Sequence, residues 1–358
     1  MLEGDPGLLK ASTWPDLVTG LIQGRDLDHD TARWAMDQVL AGDVTPVQIA
    51  GLAVALRAKG ETIDEIGGMA DAMLGRAVQL DLDREAVDVV GSGGDRANTV
   101  NVSTMASMVA AAAGAKVVKH GNRAASSMCG TADCLEALGV ALEVPHEKHA
   151  EILDTVGMTF LFAPRFHSSL RHAASARKEL GVQTTFNFLG PLSNPARPRA
   201  QAIGVADERM AALMAGVLAR RDSRGLVFHG GDGLDELTTT TTSSVWLFDQ
   251  GTVVETTLDP STLGLQAAQP DDLVGGPPEH NAQVVRDVFA GQTGPVRDIV
   301  VLNAAAALVA YDHPDLSGGF DDQLRASLGR AAEAIDSGAA QRLLESWAPL
   351  SQSLAAAN

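Results

Sequence analysis

The sequence contains few of the residues that would place it in several broad classes of protein. It has only two cysteines, Cys129 and Cys134, and their spacing fits neither a zinc knuckle nor a C-x-x-C redox pair. We expect two free thiols in a reducing cytoplasm. Cations are also scarce, since 27 Lys and Arg face 45 Asp and Glu for a formal charge of −18. Such a chain has no general attraction for nucleic acid or an anionic membrane, so any bound anion must be held by local donors.

Long apolar runs are absent as well. No stretch reaches the roughly 18 residues that a membrane span requires. The first ten residues carry Glu3 and Asp5 and lack a basic start followed by an apolar segment, so we expect no secretory signal and a cytoplasmic protein without a membrane partner. A chain of 358 residues is long enough for two domains.

The N-terminal part of the chain predicts helices alone. Thr45-Pro46-Val47-Gln48 and Thr62-Ile63-Asp64-Glu65 are capping boxes, the second and third helix starts of this region. No strand pattern interrupts them. We therefore predict an all-helical domain over residues 1–84, which a polar helical stretch at about 166–184 joins.

From residue 85 to 358 the pattern changes to strands that alternate with helices. Short strand-like runs at 86–90, 116–119 and 226–229 are each followed by glycine within two residues, and a helix of small residues lies at 105–115. This alternation predicts an α/β domain with a mostly parallel central sheet. The threonine run at 238–242 precedes an apolar segment and is predicted to belong to a strand.

A glycine-rich turn, Gly91-Ser92-Gly93-Gly94-Asp95, follows the first predicted strand. Glycines let backbone amides approach an anion closely. A dinucleotide-binding site is not predicted, because Arg96 replaces the third glycine of G-x-G-x-x-G and no acidic residue stands near 111. A P-loop is excluded because no Gly-Lys-Ser/Thr follows. Taken alone, the turn fits a phosphate site and a plain structural turn equally well.

Two downstream segments favour the phosphate site. Asn101-Val102-Ser103-Thr104 places hydroxyl and amide groups at a predicted helix start, where free N–H groups favour anions. The stretch at 119–127 holds two cations, an amide and two hydroxyls at the end of the second strand. Ligands of open α/β sheets bind at such strand ends.

Carboxylates and further cations complete the set of candidates. Asp235 and Glu236 lie in a glycine-rich turn after the strand at 226–229, and Mg²⁺ typically takes one or two carboxylates together with phosphate oxygens. His167, Arg171 and Arg177 could receive a carboxylate, although taken alone they are better explained as residues that cap or solvate a helix.

Together these segments resemble the anthranilate phosphoribosyltransferase family of tryptophan biosynthesis, with order and spacing kept from about residue 15 to 345. The resemblance also includes Arg177 to Leu180, the segment Phe186-Asn187-Phe188-Leu189-Gly190-Pro191-Leu192, and Gly233-Leu234-Asp235-Glu236. It implies a fold of the nucleoside phosphorylase and phosphoribosyltransferase type, and a homodimer formed through the helical domain. It implies anthranilate and 5-phosphoribosyl-1-diphosphate as substrates, with Mg²⁺ as cofactor.

The resemblance also implies site residues. Charge stabilisation and positioning would drive the reaction, without a side chain that acts as a nucleophile or base. Residues implied to bind the ribosyl donor are Gly91, Gly94, Asp95, Thr99, Asn101, Val102, Ser103, Thr104, Lys119, Asn122, Arg123, Ser126, Ser127 and Thr131. Those implied for anthranilate are Gly91, His120, Asn122, His167 and Arg177, and those for the metal are Ser103, Asp235 and Glu236.

Two positions depart from the family pattern, and two other functions stay open. Gln183 stands where many relatives have arginine, and Leu170 lies where some have an aromatic residue near the anthranilate entrance. A pyrimidine nucleoside phosphorylase would share the architecture but would not need the pair Asp235 and Glu236. A non-catalytic relative that binds nucleic acid would need a basic cleft, which the acidic composition disfavours.

Overall fold

The computed structural model describes residues 8–124 and 127–356. The helices there are α1 (Trp14–Ile22), α2 (His29–Ala41), α3 (Pro46–Lys59), α4 (Ile63–Arg76), α5 (Val102–Ala112), α6 (Thr131–Ala137), α7 (His149–Val156), α8 (Ala163–Phe166), α9 (Arg171–Leu180), α10 (Glu208–Ala219), α11 (Pro278–Phe289), α12 (Pro295–Tyr311), α13 (Phe320–Asp336) and α14 (Ala339–Ala355). The strands are β1 (Val87–Gly91), β2 (Val117–Gly121), β3 (Met158–Phe162), β4 (Ala200–Gly204), β5 (Arg224–Gly230), β6 (Ser243–Asp249) and β7 (Thr252–Leu258).

The chain divides into two compact units. The first contains Met1–Val78 and Pro164–Pro195, and the second contains Gln79–Ala163 and Ala196–Asn358. The sequence-based boundary at 84 lies a few residues beyond the end of the first segment, and the returning segment is longer than the predicted 166–184.

The helical unit is organised by local sequence signals. Thr45 caps α3 and Thr62 caps α4, each through a complete capping box, so both predicted helix starts are confirmed. Helix α1 was not predicted from the sequence, although Thr13 accepts a hydrogen bond from the Asp16 N–H at its start. Helix α2 packs along α4, and α1 packs along α3.

The second unit is built on one seven-stranded sheet in the order β3-β2-β1-β4-β5-β6-β7. The first five strands are parallel, and β6 and β7 are antiparallel. The predicted mostly parallel sheet is therefore confirmed. Because β1, β2, β4 and β5 run in the same direction, their carboxyl ends lie on one edge, and each of the four ends in glycine.

The core of this unit places α12 against α5 and α13, with further contacts to β4 and β5. Twelve consecutive residues of α12, from Ile299 to Ala310, are buried. Helix α5 is almost equally buried, which its alanines and small side chains allow. The packing of α5 against α12 therefore fixes the position of the residues that begin α5.

The predicted strand over the threonine run is wrong, since β6 begins at Ser243. Instead the Thr238 hydroxyl donates to Asp232 at 2.7 Å, and the Thr240 hydroxyl donates to the same carboxylate. Hydroxyl groups bonded in this way hold the backbone in turns and draw it away from a strand ladder. In the described part of the chain, no helix is long and apolar enough to cross a membrane.

Candidate active site

The turn that carries Asp235 and Glu236 follows β5. It is closed by bonds from the Gly230 N–H to the Leu234 carbonyl at 2.9 Å and from the Leu234 N–H to Asp232 at 3.2 Å. Both carboxyl side chains point inward, with only 9% of each residue exposed. Two acidic residues predicted from sequence as metal ligands are therefore buried together.

Glycines at two strand ends make room for this turn. Gly91 and Gly204 are register partners at the ends of β1 and β4. A Cβ atom at Gly91 would overlap the Asp235 carboxylate, and one at Gly204 would overlap the Asp235 carbonyl oxygen. The Gly93 N–H donates to Asp235 Oδ2 at 2.6 Å. The packing of Asp235 therefore requires glycine at position 91, independently of any ligand.

Burial and mutual repulsion perturb the acidic cluster. Burial, followed by the nearby charge of Asp95, raises the pKa of Asp235 to about 7. Burial, followed by repulsion from Asp235, raises the pKa of Glu236 well above its ordinary value, while Lys119 opposes that shift. The pKa of Asp95 is raised mainly by burial, and its side chain shares a hydrogen bond with Asp235. Such a site favours a proton or a cation.

Lys119 extends under this cluster from β2. It is 1% exposed, and its ammonium donates to the Val89 carbonyl and to Ser103 Oγ, the latter at 3.3 Å. Burial lowers the pKa of Lys119 to about 8, although Asp88, Glu236 and Asp235 oppose the shift. The Ser103 N–H donates to Glu236 Oε1 at 3.2 Å. The structure therefore brings Ser103, Lys119 and Glu236 together.

The start of α5 is tied to neighbouring loops. The Asn101 amide donates to the Cys129 carbonyl at 3.2 Å, and its oxygen accepts from Asn281 at 2.8 Å. The Thr104 hydroxyl is buried and donates to Thr131 at 3.3 Å. Val102 belongs to the core, with its side chain 1% exposed. The side chains of Asn101 and Thr104 thus fix the helix start, whereas Ser103 faces the acidic cluster.

The glycine-rich loop has an unusual backbone. Gly93 and Gly94 have positive φ angles, and so do Arg96 at 61° and Asn98 at 53°. Further along, Thr99 forms a bridge with Val274, and the Gly275 N–H donates to the Asn98 carbonyl at 2.8 Å. Left-handed conformations at non-glycine residues are costly and concentrate at functional sites. Gly94 and Asp95 are therefore held in a strained segment.

The loop after β2 contributes fewer unopposed donors than the sequence suggested. Arg123 is exposed and pairs with Asp133 at 2.8 Å and Glu136 at 2.9 Å on α6. Asn122 and Ser127 are exposed, and Asn122 accepts from the Arg123 N–H at 2.7 Å. Ser126 lies outside the described residues. The charge of Arg123 is thus matched within the protein.

Residues predicted for anthranilate belong to both units. His120 lies at the end of β2, where its backbone N–H donates to the Asp88 carboxylate at 3.1 Å. In the helical unit, His167 Nε2 is 2.8 Å from the Ser193 carbonyl, and burial lowers the pKa of this imidazole.

Arg177 also belongs to the helical unit. Burial lowers its pKa, and its guanidinium lies 5.9 Å from the centre of the Phe186 ring. Among the described residues, no carboxylate lies within ion-pairing distance of it. The two positions that depart from the family pattern lie nearby in the sequence. The amide nitrogen of Gln183 is buried and has no hydrogen bond among the described residues, and Leu170 is half-buried.

The chemistry of the acidic turn fits Mg²⁺ better than a cage built only from protein. The described residues contain no cluster of three or more His, Cys, Asp or Glu side chains arranged to hold a metal. Asp235 and Glu236 nevertheless form a buried oxygen-donor pair, and burial, followed by repulsion between carboxylates, raises both pKa values. One or two carboxylates, with water and phosphate oxygens, are what Mg²⁺ usually takes.

Several residues that shape the site were not predicted from the sequence. Gly204 admits the Asp235 carbonyl, Asn281 holds Asn101, and Asn303 pairs with the peptide of Leu237. The two asparagines had a recognisable signal, because each is a polar residue within an otherwise apolar helix face. A buried amide needs partners, and those partners lie in the site loops.

Comparison with known proteins agrees with both units. The model of the glycosyl transferase family a/b domain matches residues 83–341, and that of its helical bundle domain matches residues 15–77. An anthranilate phosphoribosyltransferase of an Arthrobacter species is 58% identical and covers 95% of this chain and 97% of that protein.

Solved structures are similar over the same span. The chain is 42% identical to the anthranilate phosphoribosyltransferase of Thermus thermophilus, with a TM-score of 0.86 over 94% of this chain and 99% of that one. The Saccharomyces cerevisiae enzyme in complex with PRPP and Mg is 26% identical, with a TM-score of 0.85 over 96% of this chain and 99% of that one. The chain belongs to the anthranilate phosphoribosyltransferase family.

Proposed function

We propose that this chain transfers the phosphoribosyl group from 5-phosphoribosyl-1-diphosphate to the amine of anthranilate. The C1–O bond to diphosphate breaks and its electrons leave with the diphosphate. The amine lone pair forms the C1–N bond, and the nitrogen then loses one proton to solvent. The products are N-(5-phosphoribosyl)anthranilate and diphosphate.

The observation that carries this proposal is the buried pair Asp235 and Glu236 beside Lys119 and Ser103. Two carboxylates with raised pKa values and an ammonium meet where parallel strands end. A nucleoside phosphorylase, which binds inorganic phosphate, would not need this acidic pair. The family to which the chain belongs supports the same choice.

Binding of the donor would rest on the residues at the strand ends. Lys119 would hold phosphate oxygens through its ammonium, and the Ser103 end of α5 would add a hydroxyl and the positive end of the helix dipole. Asp95 would accept hydrogen bonds from ribose hydroxyls. Asp235, Glu236 and Ser103 would hold Mg²⁺, which when bound neutralises negative charge on diphosphate.

Two further groups of residues would support the donor in this proposal. Backbone N–H groups of the glycine-rich loop would approach the phosphates, because glycines without a Cβ atom let a ligand come close to the backbone. Asn101, Thr104 and Thr131 would act by fixing the start of α5, since their side chains are bonded within the protein.

Arg177 would bind the carboxylate of anthranilate. Its guanidinium is largely buried and has no carboxylate partner among the described residues, so an anionic ligand would compensate its charge. Phe186 fixes one face of the guanidinium, and hydrogen bonds remain available at its edge. Burial lowers the pKa of His167, which favours the neutral form of this imidazole.

Loss of anthranilate fluorescence in the presence of 5-phosphoribosyl-1-diphosphate and Mg²⁺ tests the function directly. We expect turnover only with both, and none in the double variant Asp235→Asn with Glu236→Gln. Release of thymine from thymidine and inorganic phosphate, without turnover of anthranilate, would instead establish a nucleoside phosphorylase. A gel shift of nucleic acid at moderate salt would support the non-catalytic alternative.

A second experiment tests the acceptor site. Arg177→Ala should raise KM for anthranilate by roughly 10-fold to 100-fold, the value of a lost charge-assisted bond, and leave KM for the donor within about twofold. Arg171→Ala is the matched control, because Arg171 is exposed at the start of the same helix. An equal rise in both KM values would remove Arg177 from the acceptor site.

We also propose a homodimer formed through the helical unit. Ile22 on α1 is 75% exposed, and Val47 and Val54, seven residues apart on α3, are 80% and 47% exposed. Helices α1 and α3 pack side by side, so these exposed apolar side chains all belong to one helix pair. Exposed apolar faces of this kind are typical of association sites.

Sedimentation velocity tests the dimer. The wild-type protein should sediment as a dimer, and Val47→Glu should sediment as a folded monomer at micromolar concentration. Val253→Glu is the matched control, because Val253 is 38% exposed on β7 in the other unit. A dimer that survives Val47→Glu and Ile22→Glu together would place the interface elsewhere.

A further inference from the structure

Asn303 is the one polar residue in the buried stretch of α12 from Ile299 to Ala310. It is 1% exposed, and its neighbours along that stretch are valine, leucine, isoleucine and alanine. An amide in such surroundings destabilises the fold unless each of its polar atoms is bonded. The bonds that satisfy Asn303 therefore indicate what it does.

The amide of Asn303 pairs with both polar groups of one residue. Its Oδ1 accepts from the Leu237 N–H at 3.0 Å, and its Nδ2 donates to the Leu237 carbonyl at 2.8 Å. The second Nδ2 hydrogen goes to the Ile299 carbonyl at 2.9 Å within α12. Leu237 lies in no strand and is fully buried. Asn303 thus supplies the pairing that a neighbouring strand would otherwise give.

Leu237 directly follows Glu236, so this pairing anchors the end of the acidic turn. Further attachments of the turn include the bonds from the Gly93 N–H to Asp235 and from the Ser103 N–H to Glu236. Helix α12, which carries Asn303, packs along α5, which carries Ser103. The turn is therefore held between two helices that are themselves packed together.

Two adjacent buried carboxylates repel each other, and a flexible backbone would let them move apart or toward solvent. A backbone anchored at Leu237 keeps Asp235 at the Gly93 N–H and Glu236 at the Ser103 N–H. Residues that orient metal-binding groups without touching the metal typically change its affinity by 10-fold to 100-fold when they are removed.

We propose that Asn303 is a positioning residue for the carboxylates of Asp235 and Glu236, and through them for the divalent cation and the diphosphate of the donor. The proposal rests on the function proposed above. It concerns the placement of the donor and the cation, so it predicts no change in the binding of anthranilate.

The alternative is that Asn303 only stabilises the fold, and a matched variant separates the two. Ser351 is also a fully buried polar residue on a helix of this unit; it donates to the Ala348 carbonyl at 2.8 Å and accepts from the Ala141 N–H at 2.9 Å. The turn at Ala141 carries none of the proposed site residues. Ser351→Ala should lower stability and leave the site unchanged.

The test measures binding of Mn²⁺ in the presence of 5-phosphoribosyl-1-diphosphate, by the paramagnetic resonance signal of free Mn²⁺. Asn303→Leu removes both hydrogen bonds to Leu237 at nearly constant side-chain volume. It should weaken the binding of Mn²⁺ at least roughly 10-fold. Asn303→Ser keeps a small polar group, should weaken it less, and carries the test if the leucine variant does not fold. Both variants should raise KM for the donor and keep KM for anthranilate.

Three outcomes decide the matter. Wild-type affinity for Mn²⁺ in folded Asn303 variants would overturn the positioning role. An equal loss of affinity in Ser351→Ala would show that the effect comes from general destabilisation and would also overturn it. A wild-type protein that binds no Mn²⁺ with the donor present would instead overturn the proposed function, and the positioning role with it.

Discussion

Replacing Asp235 with asparagine should stabilise the metal-free protein while it abolishes turnover. Asparagine keeps an oxygen that can accept from the Gly93 N–H, and its amide can donate to Asp95. What it removes is a buried negative charge that only a proton or a cation can neutralise. If the proposed metal role holds, the site favours a bound cation at the expense of stability without one.

The pKa of Asp235 fixes the size and sign of the effect. Burial raises this pKa from 3.8 to about 7, so the folded state binds the proton more tightly than the unfolded state. Stability therefore falls as pH rises from about 4 to about 7, and the loss is complete above that range. It amounts to at most about 4 kcal/mol at pH 8 and about 2 kcal/mol at pH 5.

Thermal unfolding in EDTA measures this difference. At pH 8 the variant should unfold up to about 8 °C above the wild type, taking about 2 °C for each kcal/mol, and the gap should halve at pH 5. Added Mg²⁺ should narrow the gap at pH 8 by stabilising only the wild type. Curves that stay parallel between pH 5 and pH 8 would refute the argument.

A carboxylate with the opposite perturbation provides the control. Asp259 is exposed, and bonds from the Ser261 hydroxyl and N–H lower its pKa. Asp259→Asn should therefore gain nothing as pH rises, because the charged form of this residue is the one the folded state favours. A gain in both variants would point to a general effect of reduced negative charge.

Three further substitutions test other parts of the structure. Gly204→Ala should displace Asp235 and weaken the binding of Mn²⁺. Its control is Gly329→Ala, on an open helix surface, which should stabilise the protein by about 0.5 to 1 kcal/mol in chemical denaturation. Equal Mn²⁺ affinities in the two variants would contradict the role of Gly204. Lys119→Met should raise KM for the donor at least roughly 10-fold in steady-state kinetics, and an unchanged KM would exclude the phosphate contact. Thr62→Ala should cost about 1 kcal/mol of stability with unchanged kinetics, and altered kinetics would mean that α4 affects the site.

Local signals in the sequence predicted the helix starts and strand ends well. Thr45 and Thr62 each cap a helix through a residue three positions later, and such a contact needs no knowledge of the fold. Strands that end in glycine were also recognised from adjacent residues alone, without knowledge of the fold. The threonine run at 238–242 was misinterpreted because its hydroxyls bond to Asp232, and β-propensity takes no account of such a bond.

Contacts between distant segments were beyond the sequence. Nothing near Gly91 indicates that its hydrogen makes room for Asp235, more than a hundred residues away. Arg123 was interpreted as a donor for phosphate, yet two carboxylates on α6 match its charge. Only the folded structure shows which cations already have partners, so a count of charges in a loop overestimates those left for a ligand.

The acidic composition and the anionic donor are compatible because the site balances charge locally. Asp95, Asp235 and Glu236 bring three carboxylates against the single ammonium of Lys119, so the fully ionised cluster is negative by about the charge of one divalent cation. Burial raises the pKa values of all three carboxyls, and repulsion from neighbouring carboxylates adds to each shift. Protons and Mg²⁺ should therefore compete, and the affinity for Mg²⁺ should fall as pH drops below about 7. An anionic substrate then needs no basic surface, since the cation that the cluster attracts provides the positive charge.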